Sequence, residues 1–202
     1  MLNEAPNLNF LWASLIVEEC VRNGVDFFSV APGSRSAPLA WAVATGGPLE
    51  YNVHFDERGA AFQALGYAKS VGRPAVFICS SGTALVNALP AVAEAAYAHV
   101  PLLLITADRP PELQETGANQ TIHQSEIYAP YARWRYTLPC PSLDHPPENV
   151  LTTVDQAVHR AMTAPAGPVH LNCQFREPLA PLHVGFNSPA ATTNIASCSD
   201  RP

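Results

Sequence analysis

The residues that could do chemistry are concentrated in four polar segments, each directly after an apolar run. These segments are Ala31-Pro-Gly-Ser-Arg-Ser36, Asp56-Glu57-Arg58, Ser80-Ser-Gly-Thr83 and Asp108-Arg-Pro-Pro-Glu112. Glu57 is predicted to point out of the carboxyl end of a strand, the edge where open α/β sheets place ligands. Ser34 and Arg35 place a hydroxyl and a fixed cation near a helix start, a combination that suits a carboxylate ligand. Four such segments in succession, which together hold three arginines and two glutamates, indicate a site.

Alternating strands and helices must bring these segments to one edge. Apolar runs predict strands at 25–30, 50–55, 74–79, 101–106, 133–138 and 168–172. Helices are predicted over 38–45, 58–71, 83–98 and 147–163, after a first helix that Asn9 caps and Gly24 ends. Short spacing between the two element types predicts an α/β fold, a doubly wound and mainly parallel sheet of about six strands with helices on both faces. The pattern leaves the strand order open.

Composition narrows the class of protein and its partners. The chain has 202 residues, of which 48% are hydrophobic and 14% charged, as expected for one compact domain. The net charge of −6 and the lack of a Lys/Arg cluster argue against nucleic acid and anionic membrane as partners. The apolar run 84–98 is too short and too interrupted to insert into a membrane.

Cysteine and histidine usage excludes two further kinds of site. The five cysteines form no C-x-x-C pair, and reduced core thiols in a cytoplasmic protein are the expectation. The seven histidines are scattered and no H-E-x-x-H occurs, so no metal site is predicted in this chain. G-x-G-x-x-G and G-x-x-x-x-G-K-[ST] are also absent, which argues against a dinucleotide or P-loop site.

Each motif taken alone has a simpler structural explanation. Ser36 could cap a helix and leave Arg35 in solvent, and Glu57 could be an acidic residue of a first helical turn. Arg109 could be a surface arginine, residues 81–83 a helix cap and residues 117–120 a polar loop. Their shared position at one edge of one sheet favours a site.

Together the motifs resemble one family closely. The blocks, in chain order, are Ala-Pro-Gly-Ser-Arg-Ser at 31–36, His-Phe-Asp-Glu-Arg-Gly-Ala at 54–60, Ser-Gly-Thr-Ala at 81–84, Thr-Ala-Asp-Arg-Pro-Pro-Glu-Leu at 106–113 and Gly-Ala-Asn-Gln at 117–120. This set is similar to the N-terminal pyrimidine-binding (PYR) domain of the 2-succinyl-5-enolpyruvyl-6-hydroxy-3-cyclohexene-1-carboxylate (SEPHCHC) synthases. These are thiamine diphosphate enzymes of menaquinone biosynthesis, and the resemblance covers residues 9–181.

The resemblance implies a role for each matching residue. In the family a glutamate binds the aminopyrimidine N1′ of thiamine diphosphate, so that the ring can take the proton from the thiazolium C2, and Glu57 matches it. The cofactor then decarboxylates 2-oxoglutarate and the product adds to isochorismate. The implied catalytic residues are Glu57, Ser34 and Arg35, the substrate-binding residues are Arg109, Asn119 and Gln120, and the cofactor-binding residues are Glu57, Pro32, Ser81, Gly82 and Thr83.

The chain departs from the family in length. Family members continue into a central domain and a diphosphate-binding domain, whose Gly-Asp-Gly…Asn motif ligates Mg²⁺ and does not occur here. Residues 1–181 are therefore expected to form the pyrimidine-binding domain and 182–202 a linker or disordered tail. The half-site would be completed by the diphosphate-binding domain of another subunit, in a homo-oligomer, and the isolated chain is expected to be inactive.

Three explanations of the length stay open: a deliberately expressed domain, a gene fragment, or one subunit of a split enzyme. Two other functions also stay open. One is a PYR-type subunit of a split thiamine diphosphate 2-oxo-acid decarboxylase, for which Glu57 would serve equally well. The other is a non-catalytic doubly wound module that binds a partner or an unrelated nucleotide.

Overall fold

A computed structural model of the chain describes residues 5–184. Its strands are β1 (Phe27–Val30), β2 (Glu50–Val53), β3 (Ala75–Cys79), β4 (Leu102–Asp108), β5 (Trp134–Leu138) and β6 (Pro168–Gln174). They form one sheet in the order β2-β1-β3-β4-β6-β5, and every neighbouring pair is parallel. The predicted parallel sheet is confirmed, and its order reverses direction between β1 and β3.

Within residues 5–184, six α-helices cover both faces of the sheet. They are α1 (Leu8–Arg22), α2 (Ala37–Thr45), α3 (Glu57–Val71), α4 (Thr83–Asn87), α5 (Leu89–Tyr97) and α6 (Glu148–Met162). Helices α1, α2 and α6 share one buried cluster with Phe28 and Val76, whereas α3, α4 and α5 share the other with Phe27 and Phe77. Adjacent residues of β1 thus point to opposite layers, which confirms the doubly wound architecture. No helix within residues 5–184 combines the length and apolar character needed to cross a membrane.

Helix α3 carries the glutamate and packs closely on the sheet. Ala60, Ala61, Ala64 and Ala68 are fully buried, and their small side chains let the helix backbone approach β1 and β3. The Asp56 side chain caps the helix by accepting hydrogen bonds from the backbone N–H groups of residues 58 and 59, at 2.8 and 3.0 Å. The sequence therefore fixes the helix start at the residue that is expected to do chemistry.

Two details of the predicted helices were wrong. Asn7, and not Asn9, caps α1, because the Asn7 side chain accepts from the Asn9 backbone N–H at 3.1 Å. The single helix predicted over 83–98 is two helices that meet at Ala88. Pro90 has no N–H to bond to the carbonyl of Val86, and its ring crowds that carbonyl, so a continuous helix is interrupted there.

The segment after β6 runs back along the start of α1. The Asn9 side chain donates to the carbonyls of Arg176 and Pro178 at 2.7 and 3.0 Å. Asn7 donates in the same way to the carbonyls of Ala180 and Leu182, both at 3.2 Å. Residues 185–202, most of the predicted tail, lie outside the described part of the chain.

Candidate functional site

The four polar segments meet where the strand order reverses. The loop after β1 packs directly on the loop after β3, since a Cβ atom built at Gly33 would lie only 2.5 Å from the Cβ of Ser80. Only glycine allows that approach. In doubly wound sheets ligands bind at such a reversal, outside the carboxyl ends of the strands.

Glu57 is the first residue of α3 and is partly exposed at this edge. Asn87, on α4, donates to its Oε2 at 3.4 Å, a long contact and the carboxylate's one hydrogen bond among the described residues. Burial raises the pKa of the Cys79 thiol well above its usual value, and the charge of Glu57 raises it further. The carboxylate therefore lies beside the end of β3, with oxygen lone pairs free for a ligand. The sequence interpretation missed Asn87, whose signal is that it interrupts an apolar run.

Arg109 links the loops after β3 and β4. Its Nη1 donates to Ser81 Oγ, and Gln120 Nε2 donates to the Ser81 carbonyl at 2.9 Å. Gly82 has a φ of +76°, and a Cβ atom there would lie 2.6 Å from Gln120 Cγ and 3.0 Å from the Gln120 carbonyl oxygen. Four expected site residues thus form one closely packed group: Ser81, Gly82, Arg109 and Gln120.

Arg35 is buried. The simpler explanation of its motif, in which Arg35 projects into solvent, is therefore wrong. Only 6% of Arg35 is exposed, and its Nη1 donates to the carbonyl of Phe175 at 2.8 Å. Burial lowers the pKa of Arg109, and the charge of Arg35 lowers it further. The charges of the two arginines therefore act on each other at this edge of the sheet. Ser36 does not cap α2 with its side chain but hydrogen-bonds to Gly33 within the loop.

The remaining expected site residues lie at the same edge without joining this group. Within residues 5–184 the side chains of Pro32, Ser34, Thr83 and Asn119 are exposed and make no hydrogen bond to another residue. The geometry therefore leaves these four positions open to solvent, and any role in binding remains a prediction.

A buried network of hydrogen-bonded side chains lies between these loops and the core of the sheet. The sequence did not predict it. Asn172 Oδ1 accepts from Thr106 Oγ1 at 3.1 Å and from Gln124 Nε2 at 2.9 Å, and Asn172 Nδ2 donates to Asp108 Oδ2 at 2.8 Å. Gln124 Oε1 accepts from the Gly82 backbone N–H at 2.7 Å. Burial raises the pKa of Asp108, and the hydrogen bond from Asn172 opposes that rise. The network ties Gly82 to the ends of β4 and β6.

His170 ends this network as a neutral ring. Its Nε2 lies 2.8 Å from Thr106 Oγ1. Because the Thr106 proton is donated to Asn172, the hydroxyl accepts from His170, which fixes the Nε2–H tautomer. Burial, with a smaller contribution from the charge of Arg135, lowers the pKa of His170 to about 3.

His170 predicts how stability depends on pH. Unfolded histidine titrates near pH 6.5, so between pH 6.5 and 3 the unfolded chain binds a proton that the folded chain excludes. The contribution of neutral, buried His170 to the free energy of unfolding is complete above pH 6.5. It is lost as the pH falls, by about 2 kcal/mol at pH 5. His170→Gln, which keeps the donor to Thr106, should remove that difference in urea unfolding at pH 5 and 7. The exposed His183→Gln should retain it, and equal losses in both variants would contradict the assignment.

Comparison with known proteins shows which protein family the sequence matches. Residues 12–127 match the family model described as thiamine pyrophosphate enzyme, N-terminal TPP binding domain. The chain is 59% identical over 181 residues to the SEPHCHC synthase of Rubrobacter xylanophilus and 56% identical over 179 residues to that of Salinibacter ruber. These matches cover 90% and 89% of this chain but 32% and 30% of the relatives. The chain thus spans about a third of the length of these curated relatives.

Comparison of structures confirms the fold. A Mycobacterium smegmatis protein described as a putative thiamin diphosphate-dependent enzyme and the benzoylformate decarboxylase from Polynucleobacter necessarius each superpose with a TM-score of 0.69. Each superposition covers 89% of this chain, and 33% and 32% of those chains, at 21% and 19% identity. At this identity the likeness supports the architecture alone.

Proposed function

We infer the function of the chain from its family: it belongs to the thiamine pyrophosphate enzymes, through their N-terminal TPP-binding domain. We propose that it supplies the half of a SEPHCHC synthase active site that carries the glutamate. The observation that carries the proposal is the place of Glu57. Its carboxylate stands at the carboxyl edge of the sheet beside the end of β3, held by one 3.4 Å hydrogen bond. Relatives that carry this synthase name match over about 90% of the chain.

The residues present fit the aminopyrimidine end of thiamine diphosphate. Glu57 would hold a proton at a ring nitrogen, since its carboxylate is partly exposed and weakly bonded. At Gly33 and Gly82 the missing side chains let neighbouring loops pack closely, Gly33 against Ser80 and Gly82 against Gln120. When bound, the cofactor supplies a carbon nucleophile and stabilises the negative charge left by departing CO2. The described residues contain no cluster of three or more His, Cys, Asp and Glu side chains for a metal ion, and we propose that Mg²⁺ and the diphosphate are bound by a diphosphate-binding domain of another subunit.

The proposed substrates, 2-oxoglutarate and isochorismate, are both dianionic acids. An acidic chain with a net charge of −6 must gather positive charge locally to bind them. Arg35 and Arg109 are the proposed source of this charge, because Arg35 is buried and Arg109 partly buried at the edge of the sheet where Glu57 lies. Gln120 is tied to the same group through Ser81, and the exposed Ser34 and Asn119 complete the proposed polar lining.

The remaining proposals concern organisation. We take residues 1–181 as the pyrimidine-binding domain and 182–202, most of which lie outside the described residues, as a linker or tail, in a homo-oligomer in which two subunits build each site. A cytoplasmic location is proposed as well, because the described cysteines are buried free thiols: Cys20, Cys79, Cys140 and Cys173.

Reconstitution tests this function. The chain would be combined, in trans or by fusion, with the remaining two thirds of the Rubrobacter xylanophilus relative, and the loss of isochorismate followed with 2-oxoglutarate, thiamine diphosphate and Mg²⁺ present. The expected result is turnover in the combined sample and none from either part alone. Turnover by the 202-residue chain alone would contradict the half-site, and decarboxylation without isochorismate loss would favour a decarboxylase subunit instead.

A further inference from the structure

A carboxylate from a distant part of the sequence lies against the buried arginine of the site. Glu177 follows β6, and its Oε1 is 3.1 Å from Nη2 of Arg35. The side chain of Arg35 is 7% exposed and that of Glu177 is 70% exposed. The carboxylate is thus the solvent-facing member of the pair and stands where an anion from solution would approach the guanidinium.

The same carboxylate acts on the second arginine. Among the charges that affect the pKa of Arg109, Arg35 lowers it, whereas Asp108 and Glu177 raise it. Asp108 is buried and already accepts hydrogen bonds from the Asn172 side chain and the Arg109 backbone. Glu177 is therefore the exposed ion-pair partner of Arg35, and its charge also acts on Arg109.

We propose that the Glu177 carboxylate occupies the anion-binding position of Arg35 and competes there with a carboxylate of the acidic substrate. The identity of that substrate class, a dicarboxylate, rests on the proposed function. Glu177 Oε2 also accepts from the Leu179 backbone N–H, but at a long 3.3 Å. Because an exposed member of an ion pair contributes little, an incoming carboxylate can replace Glu177 at Arg35 at small cost. The internal carboxylate keeps Arg35 paired when no ligand is bound, and it reduces the affinity for dicarboxylates.

The chain offers a matched control at the same edge. Glu112 accepts two hydrogen bonds from Arg176, at 2.6 and 2.9 Å, and is about half exposed. It therefore resembles Glu177 in residue type, in its arginine partner and in location, but its partner is not a site arginine. A Glu→Gln change there removes the same charge without freeing Arg35.

The test measures binding of 2-oxoglutarate to the 202-residue chain by NMR, following the arginine Nε–Hε signals. Glu177→Gln keeps a hydrogen-bond acceptor for Arg35 but removes the competing charge, so it should bind the ligand roughly three- to tenfold more tightly than wild type at low salt. The gain should shrink at high salt, because salt screens the lost charge. Glu177→Asp, with a shorter reach and the same charge, should fall between the two, and Glu112→Gln should bind like wild type.

Equal or weaker binding by Glu177→Gln would overturn the inference, as would the absence of binding by every variant. If Glu177→Gln does not fold, Glu177→Asp decides alone, and affinity no higher than wild type would overturn the proposal. The readout is independent of turnover. If Glu177→Gln binds 2-oxoglutarate more tightly but the reconstituted enzyme consumes no isochorismate, the proposed function alone is wrong. If the reconstituted enzyme is active but Glu177→Gln binds no more tightly than wild type, only this inference is wrong.

Discussion

Glu57→Gln in the reconstituted enzyme is expected to lower kcat by at least about 100-fold, the lower end of what one positioned acid–base group contributes. Glutamine can still hydrogen-bond to a ring nitrogen, but it cannot exchange a proton with it. The fold should persist, because the Glu57 side chain is partly exposed and its one hydrogen bond within residues 5–184 is the long one from Asn87, at 3.4 Å. Steady-state kinetics and urea unfolding of the same variant separate the two effects.

The matched control is Glu94→Gln. Glu94 is exposed on α5, the same helical layer as Glu57, and its side chain makes no hydrogen bond to another described residue. It should retain wild-type kcat. A Glu57→Gln enzyme with unchanged kcat would favour the non-catalytic module, since the carboxylate would then have no chemical task.

Gly82→Ala should destabilise the chain by roughly 2 kcal/mol or more, because its backbone conformation is one that residues with a side chain adopt only at a cost of 1–3 kcal/mol. Gly82 has a φ of +76° and a ψ of −140°. A steric clash adds to this backbone strain, because the Gln120 carbonyl oxygen would lie 3.0 Å from the new methyl group. Relief would move Gln120 and with it the hydrogen bond to Ser81. The loss is measured by urea unfolding of the 202-residue chain.

Gly66→Ala is the control for this prediction. Gly66 lies inside α3, and a Cβ atom there would meet nothing within 4 Å. Alanine at a helix interior is favoured over glycine by about 1 kcal/mol, so this variant should be more stable than wild type. If both variants behaved alike, the clash and strain assigned to Gly82 would be wrong.

The sequence predicted the edge of the sheet well because its signals are local. Continuous apolar runs such as 75–79 and 102–105 mark buried parallel strands, and a polar segment after each must lie at the carboxyl end. The position of Glu57 at the start of α3 follows from one such junction. The strand order did not follow, because the pairing of β4 with β6 rather than β5 depends on contacts far apart in the chain.

Arg35 shows why the side-chain environment was harder to predict. Its partners, Phe175 and Glu177, are about 140 residues away, and no local pattern connects them. The buried network had a weak signal, since Thr106, His170 and Asn172 are polar residues within apolar runs. Their mutual hydrogen bonds require the register that pairs Leu104 with His170 and Thr106 with Asn172, which only the assembled sheet provides.

The central claim is that Glu57 meets the aminopyrimidine of thiamine diphosphate in a site that other domains complete. The most direct measurement is the rate at which the thiazolium C2 proton exchanges with D2O in the reconstituted enzyme, followed by acid quench and proton NMR. We expect exchange far faster than in free thiamine diphosphate for wild type, and a rate close to that of the free cofactor for Glu57→Gln. Equally fast exchange in both proteins would show that Glu57 does not act on the aminopyrimidine.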